Sequence, residues 1–242
     1  IKSWSLDLIQ NLPLSGFKEW QDDLDKAISF SPPHLSIYDL NIENGTVFKK
    51  LVNLGNLKLP SDEEAFRNSE STHLILKNSG YSRYEISNYC LPRHQSRHNR
   101  VYWSGLGWWS FGQGSTSSPW GEKFTRPRVS KEYKEWVISQ CELNLDPSLI
   151  NKDFIYEELD EKIMLGLRLK EGLDIKEVFK EQNWGNKKFE SNFSKLLEEW
   201  EKFLESGLLV RKGNRFFLSE PNGMELSNQV LVSMFKWWDE IN

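Results

Sequence analysis

The stretch SPPHLSIYDL, Ser31–Leu40, decides the fold class of this chain. After its two prolines, Leu35 and Ile37 alternate with the polar residue Ser36. A period of two residues is typical of a β-strand that buries one face. By the same alternation, we expect Asp39 to share the buried face with Leu35 and Ile37.

The segments on both sides of this strand indicate an alternating order of strands and helices. The apolar run WSLDLI, residues 4–9, predicts an earlier strand, and the apolar residues of 17–29 recur at helical spacing. A serine–glutamate capping box opens a predicted helix over residues 61–79, and YSRYEIS, residues 81–87, predicts a third strand. We therefore expect an α/β fold, in which helices cover a parallel sheet and ligand contacts gather at the carboxyl ends of the strands.

The second half of the chain is predicted to be mainly helical. We place a boundary near residues 142–153, between a domain 1–145 and a domain 146–242. Three helices, over residues 154–169, 174–181 and 187–206, precede a hairpin signal at Gly213–Asn214. This order is typical of a winged-helix-like module. Because the third helix carries five glutamates that would face phosphates with the wrong sign, the sequence favours a structural or docking role over DNA binding.

Composition argues against several classes of function. The 242 residues carry a net charge of −4, which disfavours a generally basic nucleic-acid binder, and no apolar run is long enough for a membrane span. Cys90 and Cys141 are too few for a disulfide framework, which favours a reducing, cytoplasmic setting. Because an apolar strand follows Ile1 almost at once, we expect this sequence to lack the N-terminal part of a longer protein.

The stretch SRHNRVYW, Ser96–Trp103, lies in the one strongly basic window of the sequence. Between residues 81 and 131, eight basic residues stand against two acidic ones, and aromatic residues are interleaved with them. Cations between flat apolar rings suit a ligand that is planar, apolar on its faces and anionic at its edge. A partly buried aromatic cluster with a solvated arginine rim explains the same composition. Downstream, Gly112 and Gly114 allow backbone N–H groups to approach an anion, although a tight turn explains these glycines equally well.

Five stretches, taken in order, resemble the oxygen-independent coproporphyrinogen III oxidase-like radical SAM family. They are SLDLIQNLP, HLSIYDLNIENGTVF, YEISNYCLPRHQSRHNRVYW, FGQGSTS and LGLRLKEGLD. The RHNRVYW segment is most similar to the heme chaperone (HemW) branch of that family, rather than to the oxidase proper. The resemblance runs over nearly the whole chain and implies a partial (β/α) barrel followed by a winged-helix-like domain.

The same resemblance implies a cofactor site. In the full-length family, the barrel binds S-adenosylmethionine and an iron–sulfur cluster. By motif match, the residues implied to contact cofactor in this chain are Asp7, Asn41, Gly112, Gly114 and Thr116.

A heme site is implied as well. The histidine of the H-N-x-x-Y-W signature, here His98, is the residue implied to ligate heme iron. Arg97 and Arg100 are expected at the propionates, and Tyr102 and Trp103 against the porphyrin face. The expected partners are heme or porphyrin, a heme-recipient protein and a second copy of the chain.

The sequence also departs from the family pattern. The family ligates its cluster through three cysteines in a CxxxCxxC run, whereas this sequence has two cysteines that are far apart. On ligand count, we expect no reductive cleavage of S-adenosylmethionine by these residues alone. The family's G-L-P-x-Q-T loop is replaced here by NLPLSG, residues 11–16.

Other functions stay open at this point. One is a radical SAM oxidase that decarboxylates coproporphyrinogen III to protoporphyrinogen IX, and another is a non-catalytic winged-helix interaction module. Cys90, His94 and His98 have a four-residue spacing that suits zinc, but Pro92 interrupts the helix that such a site needs. His34 and His73 have no polar constellation in the sequence, and we assign them no role.

Overall fold

Two parallel strands joined by a helix form the first part of the fold. The computed structural model describes residues 1–119, 123–142 and 159–242. Strand β1 (Ser5–Gln10) pairs with β2 (His34–Asp39) in parallel, and helix α1 (Phe17–Ser29) connects them. The register sets Ser5 opposite His34 and Gln10 opposite Asp39. The two strands and the helix that the sequence predicts here are therefore confirmed.

The third predicted strand is wrong in its extent and in its pairing. In place of one parallel strand over residues 81–87, the chain forms a hairpin of β3 (Ser82–Arg83) and β4 (Asn88–Cys90). The sheet order is β1-β2-β4-β3, and β4 runs antiparallel to β2. The reversal occurs at Glu85, whose buried carboxylate accepts hydrogen bonds from the backbone N–H of Ser87 and the amide of Asn88. The sheet is therefore mixed rather than parallel.

The two faces of this sheet differ in chemistry. Leu35 and Ile37 are buried with Trp20 and Leu24 of α1, and Leu6 and Leu8 pack against that cluster. Helix α3 (Asp62–Asn78) covers the same face, after the short helix α2 (Val47–Asn53). The carboxylate of Asp39 accepts a hydrogen bond from Gln10 on this face, as the alternation predicts. The opposite face carries polar side chains.

The capping box predicted for α3 is confirmed. The backbone N–H of Ser61 donates to Glu64 Oε2 at 2.8 Å, and the backbone N–H of Glu64 donates to Ser61 Oγ at 3.3 Å. These two bonds satisfy first-turn donors that the helix itself leaves without partners.

The C-terminal part combines helices with a small antiparallel sheet. The sheet has the order β7-β9-β8, and the predicted hairpin at Gly213 is confirmed by the pairing of β8 with β9. Large aromatic side chains form the core, in which Phe179 and Trp237 stack with ring centroids 5.5 Å apart. The elements are β7 (Leu173–Asp174), α7 (Ile175–Lys180), α8 (Asn186–Glu205), β8 (Leu209–Lys212), β9 (Arg215–Leu218), α9 (Asn222–Glu225) and α10 (Ser227–Ile241).

The chain divides into two compact units, which are described separately. Unit 1 comprises residues 1–96 and 167–242, and unit 2 comprises residues 97–166. The domain boundary predicted at 145/146 lies outside the described residues and stays a prediction. Within the described ranges, no helix is long and apolar enough to cross a membrane.

Unit 2 contains α4 (Arg97–Trp103), β5 (Thr116–Ser117), β6 (Phe124–Thr125), α5 (Ser130–Glu142) and most of α6 (Leu159–Arg168).

Candidate functional site

His98 lies on the first turn of α4 in unit 2, with an exposed side chain. Its Nε2 is 3.1 Å from the hydroxyl oxygen of Tyr102, four residues later on the same helix face. The two rings meet edge to face, with centroids 4.9 Å apart and planes at 88°. Among the described residues, Tyr102 is the one hydrogen-bond partner of His98, so the other ring nitrogen, Nδ1, has none. An exposed imidazole with an unengaged nitrogen can ligate a metal ion brought by a ligand.

Aromatic side chains extend from this histidine across unit 2. The ring of Tyr102 contacts Trp108 edge to face at a centroid distance of 4.9 Å. Trp109 is 54% exposed and Phe111 is 88% exposed. Flat apolar surface left in solvent favours a planar ligand or a protein partner. Tyr102 is the aromatic residue in contact with His98, and the role of aromatic side chains at a porphyrin face stays a prediction.

The arginines of the basic window differ in environment. Arg97 is exposed, whereas Arg100 and Trp103 are half-buried and each contacts other groups. Arg126 is buried, donates to Ser117 Oγ at 2.8 Å, and places its guanidinium 5.2 Å from the centroid of the Phe124 ring. Arg97 is thus a solvent-exposed cation adjacent to His98 in the sequence. Arg126 instead contacts both strands of the small sheet of unit 2, through Ser117 and Phe124.

The glycine-rich loop of unit 2 is a tight turn. The backbone of Gly112 has a φ of 96° and that of Gly114 a φ of 66°, both in the left-handed region that favours glycine. The N–H of Gly114 donates to the carbonyl oxygen of Pro127 at 3.0 Å, so it is engaged within the protein. Thr116 shares a hydrogen bond of 2.7 Å with the hydroxyl of Thr125. A cofactor contact from this loop stays a prediction.

Asp7 and His34 belong to one hydrogen-bonded chain on the polar face of the unit 1 sheet. Ser5 Oγ donates to Asp7 Oδ1 at 3.1 Å and lies 2.8 Å from His34 Nδ1. His34 Nε2 is 2.9 Å from the hydroxyl of Tyr84. In the tautomer in which Ser5 donates its proton to Asp7, Nδ1 of the neutral histidine donates to Ser5 and Nε2 accepts from Tyr84. The contacts of both ring nitrogens are thus compatible with a neutral imidazole.

The environment of His34 agrees with a neutral ring. Burial lowers the pKa of His34 below its usual range, and the nearby Asp7 carboxylate opposes that shift. The prediction that His34 has no polar constellation around it is wrong. The signal was not local, because Ser5 meets His34 only through the parallel register of β1 and β2. Asp7 lies inside β1.

Asn41 is exposed just after β2 and donates to Glu43 Oε1 at 2.9 Å. This local bond does not test the contact between Asn41 and a cofactor, which stays a prediction. Gly112, Gly114 and Thr116 lie in unit 2, whereas Asp7 and Asn41 lie in unit 1.

The cysteines do not fit an iron–sulfur cluster. Cys90 is a buried thiol and Cys141 an exposed one, each without a disulfide partner. A cluster held by three thiolates needs one more cysteine than this sequence contains. Within residues 1–119, 123–142 and 159–242, no three His, Cys, Asp or Glu side chains come together as a metal site.

Comparisons with known proteins connect this geometry to one family. The model of the HemN C-terminal domain matches residues 156–226. The heme chaperone HemW of Synechocystis is 32% identical over 99% of this chain and 60% of its own length, and that of Lactococcus lactis is 28% identical over 98% and 59%. The chain thus spans about three fifths of these relatives. A solved structure, that of the radical SAM enzyme coproporphyrinogen III oxidase (HemN) from Escherichia coli, matches this chain with a TM-score of 0.66. The match covers 96% of this chain and 55% of the other at 15% sequence identity, so it shows a shared fold.

Proposed function

We propose, from its similarity to the heme chaperone HemW proteins, that this chain belongs to the coproporphyrinogen III oxidase-like radical SAM family and binds heme for delivery to a recipient protein. The observation that carries the proposal is His98, an exposed imidazole with Nδ1 free of hydrogen bonds beside the Tyr102 and Trp108 rings. Heme chemistry needs an axial nitrogen, a flat apolar surface and cations for two propionates.

Each of these needs has a candidate residue in unit 2. Heme supplies an iron atom that accepts an axial imidazole, and His98 would provide that imidazole. Arg97 and Arg100 would hold the propionates, since guanidinium groups form paired hydrogen bonds with carboxylates. Tyr102 and Trp103 would exclude water from a porphyrin face. The hydroxyl of Tyr102 orients the histidine ring through its bond to Nε2.

The proposal also includes the fold, the cofactor contacts and the cellular setting that the family resemblance implies. The parallel unit β1-α1-β2 supports a partial (β/α) barrel, and α7, α8 and the β8–β9 hairpin support a winged-helix-like module. Asp7, Asn41, Gly112, Gly114 and Thr116 would contact S-adenosylmethionine in a full-length protein. No step is assigned to an iron–sulfur cluster, because this sequence lacks the thiolates for it. Two free thiols and no disulfide support a reducing, cytoplasmic setting.

An absorbance titration with ferric heme tests the proposal. We expect the wild-type chain to shift the Soret band on binding, and His98→Ala to lose that shift and at least a factor of roughly ten in affinity. His94→Ala is the control, because His94 precedes His98 by four residues, is half-buried and contacts Ser3 instead. If His98→Ala keeps both the Soret shift and the affinity while His94→Ala alters them, the assignment of His98 is wrong.

A further inference from the structure

A cavity of about 670 Å³ lies in unit 1, between the loop that follows β1 and the segment that leads into α3. Small-molecule sites commonly measure about 300–1,000 Å³, so the space is large enough for an organic ligand. Its wall is largely apolar and is formed by Leu12, Leu14, Phe17, Leu59 and Pro60. These residues belong neither to the heme site proposed at His98 nor to the residues implied to contact S-adenosylmethionine.

The loop presents one leucine to this cavity in an unfavourable backbone conformation. Leu12 and Ser15 close a turn through a hydrogen bond from Ser15 N–H to the Leu12 carbonyl, with Pro13 and Leu14 between them. Leu14 has a φ of 65°, at the turn position that normally takes glycine. Its side chain is 92% exposed, so packing against the described residues does not offset the strain. Strain that persists beside a cavity is typical of a ligand clamp.

The base of the loop is rigid. Asn11 donates to Asp39 Oδ1 at 2.6 Å and accepts from the buried Asn68 of α3 at 2.8 Å. Asn68 also lines the cavity. Side-chain amides thus fix the loop to β2 and to α3, so the exposed apolar wall is preorganised.

Two cations and one carboxylate line the cavity. The cations are Lys58 and Arg67, and Lys58 forms no salt bridge with any residue that the structure describes. Arg67 has only an exposed contact of 3.5 Å with Glu63, which a ligand can displace at little cost. The carboxylate is that of Glu64, which accepts hydrogen bonds from Ser61 in the capping box. These bonds lower its pKa, and the charges of Lys58 and Arg67 contribute to the shift, so a ligand anion would share the two cations with Glu64. Gly16, the N-cap of α1, also lines the cavity, and the first turn of that helix carries the acidic Glu19.

From these contacts we propose that the cavity binds a small amphipathic organic anion, with a compact apolar body against Leu14 and Phe17 and one carboxylate or phosphate group between Lys58 and Arg67. The described residues that line it include none of the His, Cys, Met or Tyr side chains that commonly ligate heme iron. The proposed occupant therefore differs in chemistry from the heme proposed for unit 2.

Calorimetric titration with naphthalene carboxylate, and with its neutral counterpart naphthalene methanol, tests this site. We expect Lys58→Gln with Arg67→Gln to weaken carboxylate binding roughly tenfold and to leave binding of the alcohol unchanged, because only the charge-assisted bonds are lost. Leu14→Gly should weaken both probes and leave the thermal midpoint equal or higher, since glycine relieves the positive φ. Nuclear Overhauser contacts from the probe to the Leu14 methyl groups would locate the bound molecule.

Two controls separate this site from others. Lys26→Gln removes an exposed cation from the last turn of α1, away from the lining residues, and should change nothing. His98→Ala should leave binding of the carboxylate intact, so failure of the heme proposal and failure of this one are distinguishable. The proposal is overturned if the carboxylate does not bind up to its solubility limit, or if Leu14→Gly and the double charge variant both bind it as wild type does.

Discussion

Arg83 is a guanidinium enclosed almost completely by unit 1. Only 4% of its side chain is exposed, and Nη1 donates to Glu225 Oε1 at 2.6 Å. Nε donates to the carbonyl oxygen of Ile86 at 2.9 Å, and the group lies 5.5 Å from the centroid of the Tyr89 ring. Charged groups lose their hydration on burial, and each partner of this pair compensates the other for that loss. Removal of either partner would leave the remaining charge without compensation.

Removing one partner of this pair should therefore be costly. We expect Arg83→Met to lower the free energy of unfolding by about 3 kcal/mol, since Glu225, whose side chain is 12% exposed, would remain as a largely enclosed, unpaired carboxylate. The double variant Arg83→Met with Glu225→Leu should recover most of that loss. Lys170→Met is the control, because the Lys170–Glu220 pair is partly exposed and should contribute less than about 1 kcal/mol. Urea unfolding of the four proteins measures this, and equal losses for Arg83→Met and Lys170→Met would contradict it.

His34 and His73 are buried histidines whose pKa values lie below the usual range. Burial is the main cause for both, with the Asp7 charge opposing it at His34 and the Glu220 charge opposing it at His73. The unfolded chain therefore binds protons at these sites more readily than the folded chain does. Stability from the neutral rings is complete above the ordinary histidine pKa of 6.5, and is lost as the pH falls below it toward the folded values.

We expect the free energy of unfolding to decrease between pH 7.5 and pH 5.5, and the decrease to be smaller in His34→Gln and His73→Gln. Glutamine keeps hydrogen-bonding groups but does not titrate. His98→Gln is the control, because its side chain is exposed. Urea midpoints at the two pH values measure the slope, and the same slope in wild type and in both buried-site variants would refute this explanation.

At the scale of elements, one glycine allows two segments of unit 1 to approach closely. Gly172 precedes β7, and its φ is 58°. A Cβ atom there would lie 1.9 Å from the carbonyl oxygen of Phe216 in β9. The β7–β9 pairing therefore depends on the missing side chain as well as on the backbone conformation.

Gly172→Ala and Gly207→Ala make a matched pair. Both glycines have positive φ, but a Cβ at Gly207 would meet nothing within 4 Å. We expect Gly207→Ala to cost about 1 kcal/mol, and Gly172→Ala to cost several times as much or to prevent the C-terminal sheet from forming. Circular dichroism and thermal unfolding distinguish the two, and a smaller loss in Gly172→Ala than in Gly207→Ala would rule out the clash.

At the scale of the whole molecule, β1 is an edge strand of the sheet that the described residues form. Among the described residues, β1 pairs only with β2, and Ile9 on β1 is 47% exposed. An edge strand with unpaired backbone groups and an exposed apolar side chain can pair with another chain. Pairing at this edge would join two whole chains, so it would change the oligomeric state of the molecule.

We therefore expect this 242-residue chain to associate in a concentration-dependent way, and Ile9→Lys to reduce the association. Phe30→Lys is the control, since Phe30 is 60% exposed at the end of α1 and not on the strand. Sedimentation velocity over a range of concentrations measures it. A wild-type chain that stays monomeric throughout would contradict the role assigned to β1.

The sequence alone determined the features that depend on neighbouring residues. The alternation in HLSIYDL, the helical spacing before it, the Ser61–Glu64 capping box and the hairpin at Gly213 all follow from interactions within a few residues. The resemblance to the family rests on five short stretches of sequence. Each stretch is a local pattern of residues, so it can be recognised without the tertiary structure.

Only the tertiary structure decided which distant residues meet. Ser5 reaches His34 through the register of β1 and β2, and a slip of one strand by one residue would turn one of the two side chains to the other face of the sheet. The antiparallel direction of β4 depends on the turn at Glu85, whose carboxylate is buried by the folded chain. Arg83 and Glu225 are separated by 142 residues, so no periodicity in the sequence connects them. Long-range pairing is chosen by packing and desolvation of the whole chain, and these forces have no local signature.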